Sequence, residues 1–279
     1  MSRSTRGPKM KRSLLWGMLL WLAFGASAAW AGGPWTGFYL GGHVGYTWGR
    51  AENSLGIIDG ATCHFSCSGG SDATVAAAAG SPSLNPGGIT GGIQLGYNWQ
   101  PSNWVFGLET DFGAFSLNQS MNTSTGLPAN TTGLDCNFGD PCVGNFSTSV
   151  KADWLFTLRP RLGYDWQGTL VYVTGGLAVS KISVAQSYSD NNPSATPLAA
   201  VSYSSSQTKA GWVVGGGLEH SFGDQWSVKA EYLYVRFDGI SAGGRLTDSL
   251  GGYADFSDSV RLSSNIARVG FNYRFGNAP

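Results

Sequence analysis

The chain is short of charge. Asp, Glu, Lys and Arg make up 12% of its 279 residues, about half the share of an ordinary soluble domain. The 17 basic and 17 acidic side chains cancel, so there is no basic excess to recruit a nucleic acid. Long apolar runs are equally scarce. Past residue 31 no stretch reaches the roughly 18 residues a membrane-crossing helix needs, which excludes helical membrane spans. Histidine occurs three times, as His43, His64 and His220. Their scatter offers no Ser/His or Asp/His constellation for catalysis, so the chain reads as a non-enzyme without a cofactor. Cysteine occurs four times, as Cys63-x3-Cys67 and Cys136-x5-Cys142. The CxxC spacing of zinc sites is missing, and no metal is expected although His64 stands beside Cys63.

What apolar run there is lies at the start. Arg3, Arg6, Lys9, Lys11 and Arg12 precede "SLLWGMLLWLAFG", and the small-residue site "AWA" (Ala29 to Ala31) follows, with "ASA" (Ala26 to Ala28) as an alternative. This is the pattern of an export signal over residues 1–31, leaving 32–279 as one large β domain. The five basic residues of the signal have no acidic counterparts, so the remainder holds twelve basic and seventeen acidic residues, a net charge of −5. In an oxidising compartment the even cysteine count points to two disulfides among Cys63, Cys67, Cys136 and Cys142, with connectivity open.

Glycine and aromatics are abundant, 42 and 36 residues respectively. Eight segments alternate apolar and polar residues and are expected as strands near 37–48, 88–100, 103–116, 149–165, 169–184, 209–222, 226–238 and 264–275. Connections between them alternate strictly between short ("PSN", "DWQG", "GDQ") and long (49–87, 117–148, 185–208, 239–263). That is the arrangement of an up-and-down barrel with one plain and one elaborated rim. One face of the strands is apolar, as in Phe38, Leu40, Val44, Tyr46 and Trp48. The opposite face collects Glu109, Asp111, Lys151, Asp153, Arg159, Arg161, Glu219, Lys229, Glu231, Arg268 and Arg274 between glycines. Long charged side chains fit the narrow interior of eight strands only beside small neighbours and opposite partners. The expectation is therefore an all-β, eight-stranded antiparallel transmembrane barrel with its charges inside, closing the lumen.

Tryptophans gather at strand ends, where lipid–water girdles belong: Trp99, Trp104, Trp166 and Trp226 at the short-turn rim, and Trp48 and Trp212 with Phe115, Trp154 and Tyr234 at the other. Pro160 removes a ladder donor from its strand, so a bulge or a locally unpaired position is expected there. His43 falls on the inward parity and His220 on the lipid-facing one. His64, beside Phe65 in a long loop, is the one candidate for contact with haem.

Together "WTGFYLGGHVGYTWG", "GGIQLGYNWQ", "FGLETDF", "RPRLGYDW", "LVYVTGGLAVSK", "GWVVGGGLEHSF", "WSVKAEYLYVRF" and "ARVGFNYRFG" resemble the small outer-membrane β-barrel proteins of alphaproteobacteria. These are related to OmpA-like transmembrane barrels and include porin-family surface antigens and haemin-binding proteins. The resemblance covers all eight strands and none of the long loops. It implies residence in the bacterial outer membrane with both termini periplasmic, amid lipid and lipopolysaccharide. It also implies assembly by the barrel-assembly machinery through a terminal aromatic signal, here Tyr273 and Phe275, the latter followed by "GNAP". The implied roles are envelope integrity and small-solute passage, or binding of haem, peptidoglycan or a host ligand.

Overall fold

The computed structural model describes residues 33–62, 64–65, 72–127, 142–191, 199–223, 225–249 and 251–275. The expected signal, Cys63, Cys67 and Cys136 lie outside them. In chain order the elements are β1 (Gly37–Asp59), α1 (Asp72–Ala79), β2 (Ser83–Leu84), β3 (Gly87–Trp99), β4 (Trp104–Gly126), β5 (Val143–Trp166), β6 (Thr169–Asp190), β7 (Ala200–Phe222), β8 (Trp226–Phe237), β9 (Ile240–Thr247) and β10 (Tyr253–Phe275). The strands pair antiparallel in the order β1-β3-β4-β5-β6-β7-β8-β10, with the short β2 beside β1, and β10 pairs back onto β1 from Phe38↔Phe275 to Asp59↔Ala254, which closes the cylinder. β8 and β9 run along the same edge of β10 as one interrupted strand, so the wall counts eight strands.

At the short-turn end the hairpins are tight. Gln167 and Gly168 both have positive φ, 52° and 79°, the pair of left-handed residues that lets a two-residue turn match the strand twist. The other end departs from expectation. Strands of 23 or 24 residues reach about 75 Å at 3.3 Å per residue, far beyond the roughly ten residues that cross a bilayer. Most of 49–59, 117–126, 143–148, 185–190 and 200–208, expected as loops, is strand. Serine and threonine accept this because a wall standing in water needs polar residues outside.

Along most strands the polarity of the two faces inverts. Near the turn end the outward side chains are apolar, from Phe38 to Trp48 on β1 and from Trp212 to Phe222 on β7, a band about eleven residues tall that matches a hydrocarbon core. Farther along, the interior is apolar instead. Ala51, Leu117, Val150, Ile182, Val235, Leu262 and their neighbours fill the lumen, and beyond them Phe65, Phe146, Tyr188 and Phe256 form an aromatic cluster against Ala76 of α1. The helix is anchored through its C-terminal turn: Asn53 Nδ2 and Gln186 Nε2 donate to the Gly80 carbonyl at 2.9 and 3.1 Å. A Cβ on Gly80 would lie 2.4 Å from Leu55. This is the cap end of the molecule.

Two β-bulges lie at the inversion, between Ala114 and Leu117 on β4 and between Ala152 and Leu155 on β5. The one on β5 leaves Asp153 and Trp154 both outward and so flips every side chain beyond it, whereas β4 keeps its odd residues inward from Glu109 through Leu117. Lys151 and Asp153, expected inside with Arg159 and Arg161, are therefore exposed on the outer surface. Phe115, expected in the girdle, is fully buried in the lumen. Pro160 behaves as expected: it stays in register with Leu108 on β4, while the ladder to β6 skips Arg159 and Pro160 without a shift. Thr174 donates its hydroxyl to the Pro160 carbonyl at 2.9 Å. All six girdle tryptophans point outward. Trp104 meets Tyr164 edge-on at 5.4 Å and Trp226 meets Tyr273 at 5.0 Å at the turn-end rim, while Trp212 packs on Tyr234 at 5.4 Å at the other.

Candidate functional site

The lumen at the level of the lipid-facing band is crossed by a layer of charges. Alternation on β4 and β5 turns Glu109, Asp111, Arg159 and Arg161 inward together, and registration places Glu109 opposite Arg159. From the far wall come Glu219 on β7, Lys229 and Glu231 on β8, and Arg268 on β10, which pairs with Glu231. All are buried.

Arg159 is the hub. Its guanidinium donates to Glu109, to Asp111 Oδ2 at 2.8 Å, to Glu231 Oε1 at 3.1 Å and to Thr157 Oγ1 at 2.9 Å. Arg268 bridges the same two acids, donating to Glu231 Oε2 at 2.6 Å and to Asp111 at 3.1 and 3.2 Å. Lys229 Nζ donates to both Glu109 oxygens at 2.9 and 3.0 Å. Arg161 reaches Glu219 at 2.8 Å and lies between the Tyr39 and Tyr172 rings, 5.3 and 4.7 Å from their centroids. Four cations thus face four carboxylates within one connected set, and a balanced, hydrogen-bonded group is the form in which buried charges are tolerated.

Neutral donors complete the layer. Tyr39 and Tyr172 donate to Glu109 and Glu231 at 2.7 and 3.0 Å. Ser227 and Asn272 serve Glu219, and Gln94 donates to Asn272 at 2.6 Å. Arg268 Nη1 lies 3.2 Å from His43 Nε2, which accepts from it. None of these neutral partners was singled out as a partner from the sequence. Strand parity would have found Tyr39 and Tyr172, which sit on the inward phase with His43 and Thr174. Glycine makes the space: a Cβ on Gly96 would lie 2.3 Å from the Tyr39 ring.

Arg274 is inward as expected but stands apart, its guanidinium 4.7 Å over the Trp35 ring and donating to Ser221 at 2.6 Å. With Val105, Leu170 and Tyr172, Trp35 forms an apolar floor at the turn end. Charge layer, floor and apolar filling are stacked along one lumen.

His64 differs from expectation. It is buried in the cap, with Nδ1 2.9 Å from Asp248 and Nε2 2.9 Å from Asp190, and Phe65 edge-on at 4.9 Å. Both nitrogens are engaged, so neither is presented to a haem iron. The contact draws the first connection between the ends of β6 and β9. His220 is exposed and paired with Thr169 at 3.0 Å. Cys142 is disulfide-bonded.

Comparison with known proteins agrees with an outer-membrane barrel. The family model "Outer membrane protein beta-barrel domain" matches residues 17–275. The chain belongs to this outer-membrane β-barrel family. The 31 kDa outer-membrane immunogenic protein of Brucella melitensis is 33% identical over 243 residues, covering 86% of this chain and 84% of that one. The 25 kDa outer-membrane immunogenic protein of Brucella abortus is 26% identical over 243 residues, 86% and 79% of the two chains. Among solved structures, the outer membrane protease OmpT from Escherichia coli aligns with a TM-score of 0.43 and 9% identity, covering 86% and 97%.

Proposed function

We propose that the protein is a closed, structural outer-membrane barrel that holds a stiff cap at the cell surface, with both termini periplasmic, and that solute passage is at most a minor role. The observation that carries this reading is the charge layer, whose eight ionic side chains are all buried against one another. An aqueous pathway needs charged groups wetted by the lumen, whereas eight strands leave room for little beyond side chains. The apolar filling beyond the layer adds a second barrier, since water gains nothing from entering a space lined by Leu, Val and Ile.

The names of the Brucella relatives as immunogenic proteins support display at the surface. The long polar walls at the cap end supply what would be displayed. Tyr273 and Phe275 end the closing strand with their rings meeting at 5.1 Å, a place suited to recognition by the assembly machinery. The test is conductance in a planar bilayer with protein whose folded state is verified by heat-modifiable mobility. Folded protein that inserts and stays silent is the expected result, and stable, ion-selective openings would sink the proposal.

A further inference from the structure

We infer that the wall of β7, β8, β10 and β1 carries a binding site for a phosphorylated acyl lipid, with the lipid A part of lipopolysaccharide as its occupant. The inference rests on the orientation proposed above, cap end outward. Two features stand one above the other on that wall.

The first is a group of arginines just beyond the cap-side girdle. Arg50 on β1 is registered with Ser263 on β10, and Ser263 with Arg236 on β8. Arg261 lies two residues beyond Ser263 on the same outward face. All three arginines are exposed, and strand spacing sets the outer two about 10 Å apart at their backbones. Glu52 pairs with Arg50 at 3.4 Å. Glu52 is also the registered cross-strand neighbour of Arg261, neither Arg236 nor Arg261 has an ion pair among the described residues, and Asp238 is the other outward acid nearby.

The second is a wide, open apolar depression of about 500 Å³ on the same strands, within the hydrocarbon band. Its floor is Gly216, Ala230 and Ala267, and Val44, Leu218 and Tyr232 stand around it. Gly216 and Ala267 are the cross-strand neighbours of Tyr232, so the depression lies where small residues flank a ring. Between groove and arginines sit Trp48, 6.2 Å from Tyr232, and Trp212, 5.4 Å from Tyr234. From the bilayer centre outward the wall thus offers an acyl slot, an interfacial aromatic belt and a spread of cationic donors. That order matches an amphiphile with chains below and phosphate above. Three guanidiniums spaced over two strand widths suit a headgroup with more than one phosphate, since arginine recognises phosphate through paired donors.

The test uses protein extracted from outer membranes in mild detergent, with native mass spectrometry counting bound lipid as lipid A is titrated. Each basic group near a charged membrane surface is worth roughly fivefold in affinity. Replacing all three, as Arg50→Gln/Arg236→Gln/Arg261→Gln, should weaken lipid A about tenfold to a hundredfold. Ala230→Phe/Ala267→Phe, which fills the groove, should weaken it several-fold. The control Lys151→Gln/Lys181→Gln, on β5 and β6, should leave it unchanged. Dephosphorylated lipid A should bind the native protein as weakly as lipid A binds the arginine variant, and inorganic phosphate should not compete. Retention of lipid A within twofold in the arginine variant would overturn the site, as would an equal loss in the lysine control. Orientation is read separately, by impermeant labelling of Ser54→Cys on intact cells. Absence of labelling would refute the cap-outward reading without altering the detergent result.

Discussion

Removing Arg159 tests whether the lumen is closed by mutually dependent charges. In Arg159→Met the aliphatic stem is kept, and four donated hydrogen bonds to Glu109, Asp111, Glu231 and Thr157 are lost. Each carboxylate retains a partner: Lys229 for Glu109, Arg268 for Asp111 and Glu231. No acid is orphaned, but the layer passes from four cations against four carboxylates to three against four. Breaking a buried pair on one side costs about 3–5 kcal/mol. With a urea slope of about 2 kcal/mol per molar, the unfolding midpoint of the barrel in micelles, followed by tryptophan fluorescence, should fall by about 2 M. Restoring the balance with Asp111→Asn in the same chain should recover a measurable part of the loss, a coupling on the order of 1 kcal/mol between groups in one network. A cost below about 1 kcal/mol for Arg159→Met would mean that water already solvates the layer, and the closed-lumen reasoning would fail with it.

Outside the membrane band the titrating groups predict a cap that loosens as pH rises. Burial lowers the His64 pKa, but its bonds to Asp190 and Asp248 outweigh burial and leave it above the ordinary 6.5. The protonated ring is thus favoured in the fold, so its contribution is full below about 6.5 and fades as pH climbs through the raised value. Amide exchange at Phe65 and Ala254, corrected for intrinsic rates, should quicken between pH 6 and 9, and His64→Gln should abolish that trend. Burial pushes the Asp258 carboxyl up to about 7, so stability present below 3.8 is lost between there and about 7, and Asp258→Asn should stabilise the barrel at pH 8 but not at pH 3. For the inverted faces, cysteines at Lys151 or Asp153 should react with a water-soluble maleimide in the folded protein. One at Arg159 should not, and equal reactivity at all three would contradict the bulges.

The membrane-crossing half was legible because lipid imposes a strict period of two, with apolar side chains outward and charge or glycine inward. Eight strands, the paired rims and nine of the eleven interior charges follow from that rule alone. The cap half was illegible for the same reason. On β10 the apolar residues occupy even positions through Ile266 and odd ones from Val269 to Phe275, and on β6 they move from Val171 and Val173 to Ala178, Ile182 and Val184. A reading that follows one phase ends the strand where the phase changes and assigns the serine-rich remainder to loops. The bulges hide in a different way, since an inserted residue leaves no compositional mark. Nothing in "KADWLF" says that alternation slips there, and an unbroken count puts Lys151 and Asp153 inward. The long-range clasp of His64 on Asp190 and Asp248 spans 126 and 184 positions, and no local pattern could join them.

The inversion also explains why one strand can be stable in two solvents. Within the bilayer the outside is already apolar, so the hydrophobic effect gives the wall no reason to close on itself. Cohesion there must come from the ladder and from charges held out of lipid. Beyond the girdle, water surrounds the wall and the usual drive returns, which the chain uses by turning Phe115, Leu117, Ile182 and Val235 inward. The register shifts at 114–117 and 152–155 stand where one regime gives way to the other, and on β5 the slip leaves Asp153 and Trp154 both outward, so that Val150 and Ala152 face the lumen beyond it as Leu155 and Arg159 do before it. Such a barrel is anchored by its lower half and packed like a soluble protein in its upper half. The stiffness of its cap therefore does not depend on the bilayer, and substitutions that empty the upper core, such as Phe237→Ala, should loosen the cap by about 3–5 kcal/mol while leaving membrane insertion intact. Amide exchange resolved by region would show protection lost above the girdle and kept below it. Protection lost equally throughout would mean that the two halves fold as one unit and that the division of labour proposed for them is wrong.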